Sequence, residues 1–243
     1  INYKHILVSY SNQGLLSIEE LVELAKLFAK DGMVYVESID YREYQNHRSS
    51  NKGNGENLNE VILYFQKDLS LNKSPLNYSG SKDTLLPAII KELPPSFSTF
   101  VDVMGGAFNV GANIVATDCV VYNEINPYVY GIIEWLLKSD KTEIVESIEK
   151  GIAKYKLEKG KKEPYEKLRA DYNAGDNTPL NLYLLHMYSF QNMIRFNGDF
   201  KFNTPIGVAG YSEDIKQRIL NFKIKSRKLK MMNVDYTLID WSE

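Results

Sequence analysis

The chain predicts an α/β fold of the doubly wound kind, and three observations carry that prediction. Residues 100–104 form a short apolar run suited to a buried parallel strand, and Gly105-Gly106-Ala107 follows it as a tight turn. Residues 110–116 have the pattern of a helix start, and 119–122 read as the next strand. Glu124 then stands at the tip of that strand, about twenty residues beyond the first one. In a doubly wound sheet this order places a nucleoside-bearing ligand over the glycine turn, with the acid on its ribose hydroxyls. An ordinary βαβ turn is also compatible with the pattern taken alone.

The other elements follow in order. Residues 5–11 (HILVSYS) are an apolar strand, and Ser17 caps a helix whose first turn holds Glu19 and Glu20, where acids suit the helix dipole. Leu21, Leu24, Ala25 and Phe28 give this helix its buried stripe, and Asp31-Gly32 stops it. Residues 33–39 and 59–66 are strands, joined by a long polar Gly/Asn-rich loop with Arg42, His47, Arg48 and Lys52. A loop of that length inside a compact domain is usually functional or mobile. Residues 68–77 read as a linker and 84–92 as a helix ended by Pro94-Pro95. Beyond the glycine stretch, 125–138 is a helix, 142–169 is charged and helical, and 180–193 is an apolar helix. An irregular polar-aromatic loop, RFNGDFKFNTPIG, precedes a helix at 212–220. Residues 221–230 (NFKIKSRKLK) carry five cations and read as a solvated face, with a phosphate contact as the alternative, and 234–240 (VDYTLID) alternate as a closing strand.

Composition narrows the function classes. The 243 residues are 44% hydrophobic and 25% charged, as in an ordinary soluble protein. A net charge of −2 excludes a general polycation, so nucleic-acid binding has to come from local patches. A single cysteine, Cys119, allows no internal disulfide and suits a reducing cytoplasm. These residues show no signal-peptide pattern and no apolar run of membrane-spanning length. His5, His47 and His186 are scattered without metal-ligand spacing.

Five segments together resemble the Dam-like DNA adenine-N6 methyltransferases, which transfer a methyl group from S-adenosylmethionine (AdoMet) to adenine in duplex DNA. Residues 75–82 (PLNYSGSK) with Leu85-Leu86-Pro87 look like the family's opening motif, which implies that Tyr78, Gly80 and Lys82 help hold AdoMet. Phe100-Val101-Asp102 with Gly105-Gly106 is similar to its glycine motif, and Asn123-Glu124-Ile125-Asn126-Pro127 resembles the strand tip that binds the ribose. The resemblance thus implies Asp102, Gly105, Gly106 and Glu124 as cofactor residues. Phe190-Gln191-Asn192, Arg195-Phe196-Asn197 and residues 202–207 resemble the signature of the DNA-recognition insert. Residues 5–66, with SYSNQG at 9–14 and the loop at 48–57, look like the part that closes the catalytic domain. Arg48, Lys52, Asn192, Arg195 and Asn197 are the implied DNA contacts.

These residue types suit the chemistry. A carboxylate accepts two hydrogen bonds from a ribose diol, and glycines let the backbone approach a ligand closely. The adenine amino group cannot be reached inside a duplex, so the base has to be flipped out and stacked on an aromatic ring.

Three departures accompany the resemblance. Phe108 stands where the family has a further glycine, and a ring there narrows the cofactor site. The catalytic tetrad Asp-Pro-Pro-Tyr is not found: Leu93-Pro94-Pro95-Ser96 lacks both acid and aromatic, and Asn126-Pro127-Tyr128 belongs to the ribose motif. The order is also permuted, with the SYSN portion before the cofactor portion and the junction where the tetrad strand belongs. In the family that strand is central, between the strands at Phe100 and His5. Its removal leaves two edges whose unpaired backbone groups cost roughly 1–3 kcal/mol each when buried. Residues outside these 243, a second polypeptide or the next unit of a tandem array are the expected sources.

The implied organisation is 1–68 for the second half of a catalytic domain, 69–138 for its AdoMet-binding half, 139–230 for a helical DNA-recognition lobe and 231–243 for a return strand. The expected activity is site-specific adenine-N6 methylation of double-stranded DNA in a restriction–modification system. The alternatives are a non-catalytic DNA-binding or specificity subunit, one half of a split methyltransferase, and a cytosine-N4 methyltransferase.

Overall fold

The computed structural model describes residues 4–11, 14–40, 59–67, 70–94 and 96–241. Arg48 and Lys52 lie outside the described residues, as does the whole loop at 41–58. The chain forms two compact units, residues 1–71 and 72–243.

In the first unit, β1 (His5–Ser11), β2 (Tyr35–Asp40) and β3 (Asn59–Gln66) form an antiparallel sheet in the order β1-β3-β2. Period-two alternation sends Val61, Leu63 and Phe65 of β3 to one face. There they meet Ala25 and Ala29 at α1 (Ile18–Phe28). A capping box starts α1, with the Glu20 N–H donating to Ser17 Oγ at 3.1 Å and the Ser17 N–H to Glu20 Oε2 at 2.9 Å. Gly32, at φ 67°, makes the turn that ends the segment. The opposite face of the sheet carries an exposed apolar patch, with Leu7, Tyr64 and Tyr35 side by side in the register.

The second unit holds a parallel sheet in the order β4-β5-β6, formed by β4 (Thr99–Asp102), β5 (Cys119–Asn123) and β6 (Leu229–Met232). Val120 and Tyr122 of β5 are fully buried, as a central parallel strand requires. The closing strand expected over 234–240 is instead a short 3-10 turn, Tyr236–Leu238, capped by Asp235. The sheet strand comes from 229–232, at the end of the basic stretch, where Leu229 and Met231 pair with β5. Alternation in VDYTLID mimicked a strand, while the Lys-rich run concealed one.

The helix expected over 110–116 is only a 3-10 turn, Gly111–Asn113. Buried Asn109 and Asn113 there bond the neighbouring segment 72–74, with Asn113 Nδ2 on the Asn72 carbonyl at 2.8 Å, in place of continuing a helical ladder. The connection from β5 to β6 carries α3 (Pro127–Lys138), α4 (Lys141–Tyr155), α5 (Lys162–Asn173), α6 (Pro179–Tyr188) and α7 (Glu213–Asn221), while α2 (Leu86–Glu92) precedes β4. The charged stretch 142–169 is two helices, because Lys156 turns left-handed at φ 56° and Leu157 then enters the core. The apolar helix stops at Tyr188, five residues earlier than expected, where Ser189 pairs with Ile206 and Gln191 and Asn192 take φ 53° and 52°. Every α6 residue from Asn181 to Tyr188 is buried, and one hydrophobic core joins α6 to β5 and α3.

Candidate functional site

The site is built at the C-terminal ends of β4 and β5. The Gly105 N–H donates to the Asn123 carbonyl at 2.8 Å, which folds the turn after β4 onto the tip of β5. A Cβ on Gly105 would sit 2.4 Å from the Tyr122 ring, so only glycine fits. Gly106 takes φ 50° and is held from both sides: its N–H donates to Glu124 Oε2 at 2.9 Å, and its carbonyl accepts from Tyr122 Oη at 2.8 Å. The Tyr78 ring covers Gly106, 3.4 Å from where a Cβ would stand.

Glu124 is buried, and its other oxygen accepts the Asn126 N–H at 2.9 Å. Asn126 in turn caps α3, accepting from the Tyr128 N–H at 3.0 Å, and Pro127 occupies the first helical turn. The Asn126-Pro127-Tyr128 tripeptide is thus a helix start. Asn233 closes the far side, donating to the Glu124 carbonyl at 2.5 Å. Asp102, at the end of β4, accepts the Gly111 N–H at 2.9 Å.

Two carboxylates on neighbouring strand tips make the site electronegative. Burial pushes the Asp102 carboxyl up from its ordinary value, the Gly111 N–H opposes this, and the charge of Glu124 adds to the rise. Burial, then Glu124, raises the Tyr78 hydroxyl as well, with a hydrogen bond from Asn126 opposing. Such a site favours a cation and has hydrogen-bond acceptors to spare. Glu124 spends one lone pair of each oxygen on a backbone N–H, and an ionised carboxylate offers about four acceptor positions.

The expected cofactor residues Tyr78, Asp102, Gly105, Gly106 and Glu124 converge here. Gly80 and Lys82 belong to the adjoining turn: Gly80 has φ 80°, and the exposed Lys82 donates its ammonium to the Gly80 carbonyl at 2.5 Å. Phe108 is at φ 59°, the left-handed region a glycine favours, but its ring does not enter the turn. The ring is fully buried, edge-on to Tyr122 with centroids 4.6 Å apart, and lies 2.2 Å from where a Cβ on Gly111 would be.

A polar cleft of about 260 Å³ adjoins Tyr78 and is lined by Ser79, Ser81, Asn109, Gln191 and Asn192 among others. Asn192 donates to the carbonyls of His186 and Met187 at 3.1 and 3.2 Å, capping the end of α6. Arg195 is exposed and grips Asn203, with Nε to Oδ1 at 2.8 Å and Nη2 to the carbonyl at 3.2 Å. Asn197 Oδ1 accepts the N–H groups of Asp199 and Lys201 at 3.1 and 2.9 Å and so shapes a tight turn within the Phe196–Phe202 bridge. Phe200 stands at that tip, 79% exposed, and Phe196 at the base stacks on Tyr128 at 3.8 Å. This stack ties the polar-aromatic loop to the first turn of α3, beside Glu124. The sequence reading did not single out Tyr122 or Phe200. Tyr122 sits in an apolar strand with no local signal, whereas an aromatic after Asn-Gly-Asp was a visible turn cue.

A parallel sheet whose glycine turn is held by an acid at the next strand's tip defines a Rossmann-like, methyltransferase-type α/β fold. Residues 78–241 match the family model of the D12 class N6 adenine-specific DNA methyltransferases, and the chain belongs to that family. The expected Dam-like resemblance is borne out. The chain is 49% identical over its whole length to the modification methylase LlaI of Lactococcus lactis subsp. lactis, covering 39% of that protein. It is 33% identical to the modification methylase StsI of Streptococcus sanguinis, with 94% of the chain and 38% of the relative covered. It is 34% identical to the type II methyltransferase M.FokI of Planomicrobium okeanokoites, with 91% and 37% covered. The chain therefore spans under two-fifths of the length of these relatives.

Proposed function

We propose that this chain is part of a site-specific DNA methyltransferase that moves a methyl group from AdoMet to adenine N6 in double-stranded DNA, as the cytoplasmic modification enzyme of a restriction–modification system. The observation that carries the reading is the electronegative pair Asp102 and Glu124 around the Gly105-Gly106 turn, with Tyr78 over it. AdoMet fits that donor set. It is a sulfonium cation bearing an ammonium and a ribose diol, and its activated methyl is the group transferred. Glu124 would take the diol, Asp102 would face the amino-acid part, and Tyr78 would cover the nucleoside side. Gly80 and Lys82 would support the Tyr78 turn. The exposed Arg195 and the Asn197 turn would meet DNA, together with Arg48, Lys52 and the Asn192 segment. The names of the three relatives, all methylases and two of them modification methylases, support the same class.

The catalytic strand would come from outside these residues. Among the described residues β4 pairs only with β5, and β1 only with β3, so each sheet has an open edge. The sheet of the first unit also exposes an apolar patch at Leu7, Tyr35 and Tyr64, whereas a doubly wound sheet is covered on both faces. The family match lies within the second unit, while the LlaI methylase aligns with the chain across both. We therefore place the two units in successive catalytic domains of a longer polypeptide, in the proposed order 1–68, 69–138, 139–230 and 231–243, each domain completed by its own Asp-Pro-Pro-Tyr strand.

The test is methyl transfer from labelled AdoMet to duplex DNA, followed by analysis of the labelled nucleoside. This chain alone is expected to bind AdoMet without labelling DNA, and a polypeptide that includes the tetrad to produce N6-methyladenine. Labelled N4-methylcytosine, or AdoMet failing to bind the chain, would overturn the reading.

A further inference from the structure

We infer that Arg218 of α7 is a positioning residue for the cofactor loop, holding Tyr78 over the glycine turn from the side of the helices. The inference rests on the AdoMet reading of that turn.

Residues 72–78 form neither helix nor strand, so their position is set by what grips them. From the glycine-turn side, Asn113 Oδ1 accepts the Asn72 N–H at 2.7 Å and Asn109 Oδ1 accepts the Ser74 N–H at 2.8 Å. From the helices, Tyr183 Oη of α6 donates to the Pro75 carbonyl at 2.9 Å, and Asn72 Nδ2 donates to the Lys223 carbonyl just beyond α7 at 3.0 Å. Arg218 supplies the last grip before Tyr78, donating from Nη1 to Asn77 Oδ1 at 2.9 Å while Nη2 pairs with Asp214. Tyr183 and Leu76 are both fully buried, so the middle of the segment is fixed by packing. Asn77 is the last residue before Tyr78 that a grip from the helices reaches.

Arg218 is a costly way to fill that place. Its Nε is buried without a partner, a desolvation loss that an unbranched apolar side chain would not incur. What the guanidinium adds is a charge-assisted bond to the residue next to Tyr78, made from a helix that lies in the connection between β5 and β6. The bond therefore links an expected DNA-recognition helix to the residue beside the aromatic cover of the cofactor turn.

Calorimetric titration of AdoMet into the full chain tests this in wild type, Arg218→Met, Asn77→Ala and the double variant. Each single change is expected to weaken AdoMet about tenfold, and the pair no more than either alone, because both remove the same bond. Arg218→Lys keeps a donor and should recover part of the affinity, with the ligand-free melting temperature close to wild type throughout. Asn77→Ala, which leaves α7 untouched, answers the question if Arg218→Met fails to fold. Wild-type affinity in either single variant, or losses that multiply in the double variant, would overturn the inference alone. Absence of binding by the wild-type chain would overturn the AdoMet reading and the inference with it.

Discussion

Replacing Phe108 by glycine restores the residue type expected at that position of the turn, yet it should destabilise this protein. The ring is fully buried, edge-on to Tyr122 at 4.6 Å and packed on Gly111. Truncating a core aromatic costs roughly 3–5 kcal/mol. Against this, a left-handed φ of 59° at a residue with a Cβ costs about 1–2 kcal/mol, which glycine avoids. The net loss is about 1–4 kcal/mol, or a fall in melting temperature of about 2–16 °C for a unit of this size. Thermal unfolding followed by near-ultraviolet circular dichroism reads it, since Tyr122 contributes to that signal. Phe108→Ala makes a similar cavity and retains the φ strain, so it should melt below Phe108→Gly. A glycine variant as stable as wild type would refute the core role of the ring. An alanine variant more stable than the glycine one would refute the backbone argument.

Three further outcomes are expected. Glu124→Gln keeps the size of the side chain but removes the charge of the proposed ribose acceptor and turns one of its two backbone N–H acceptors into a donor, so AdoMet binding should weaken about ten- to hundredfold by titration calorimetry. His186 is wholly buried, and burial holds its imidazole down to about 4 from 6.5. Between those values the unfolded chain takes up a proton that the folded chain refuses, so the stability is full above pH 6.5 and is lost as pH falls towards 4, by roughly 3 kcal/mol in all. His186→Leu should flatten the pH dependence of the melting temperature across that window, and an unchanged slope would refute the assignment. Ser17→Ala removes the capping box of α1 and should cost about 1 kcal/mol, seen as faster amide exchange in α1, with α6 unaffected.

The amino-acid sequence alone determined the strand–glycine turn–strand–acid order, because apolar runs, glycines and an acid at fixed spacing are local chemistry. It also determined the capped start of α1, the limits of β3 and the family. Tertiary packing decided the rest. Leu229 and Met231 became a strand because β5 offered them an edge, whereas VDYTLID, equally alternating, found none in the second unit. The helix expected after the glycine turn gave way to a short turn because buried asparagines bond the neighbouring segment 72–74. At the site, one-dimensional spacing named Gly105, Gly106 and Glu124. Only three dimensions showed that Tyr122 grips the turn from beneath, that Phe108 belongs to the core, and that Arg218, far along the chain, reaches the residue beside Tyr78. Contacts of this kind leave no periodic trace in the sequence, since each depends on a single side chain meeting one partner elsewhere in the chain.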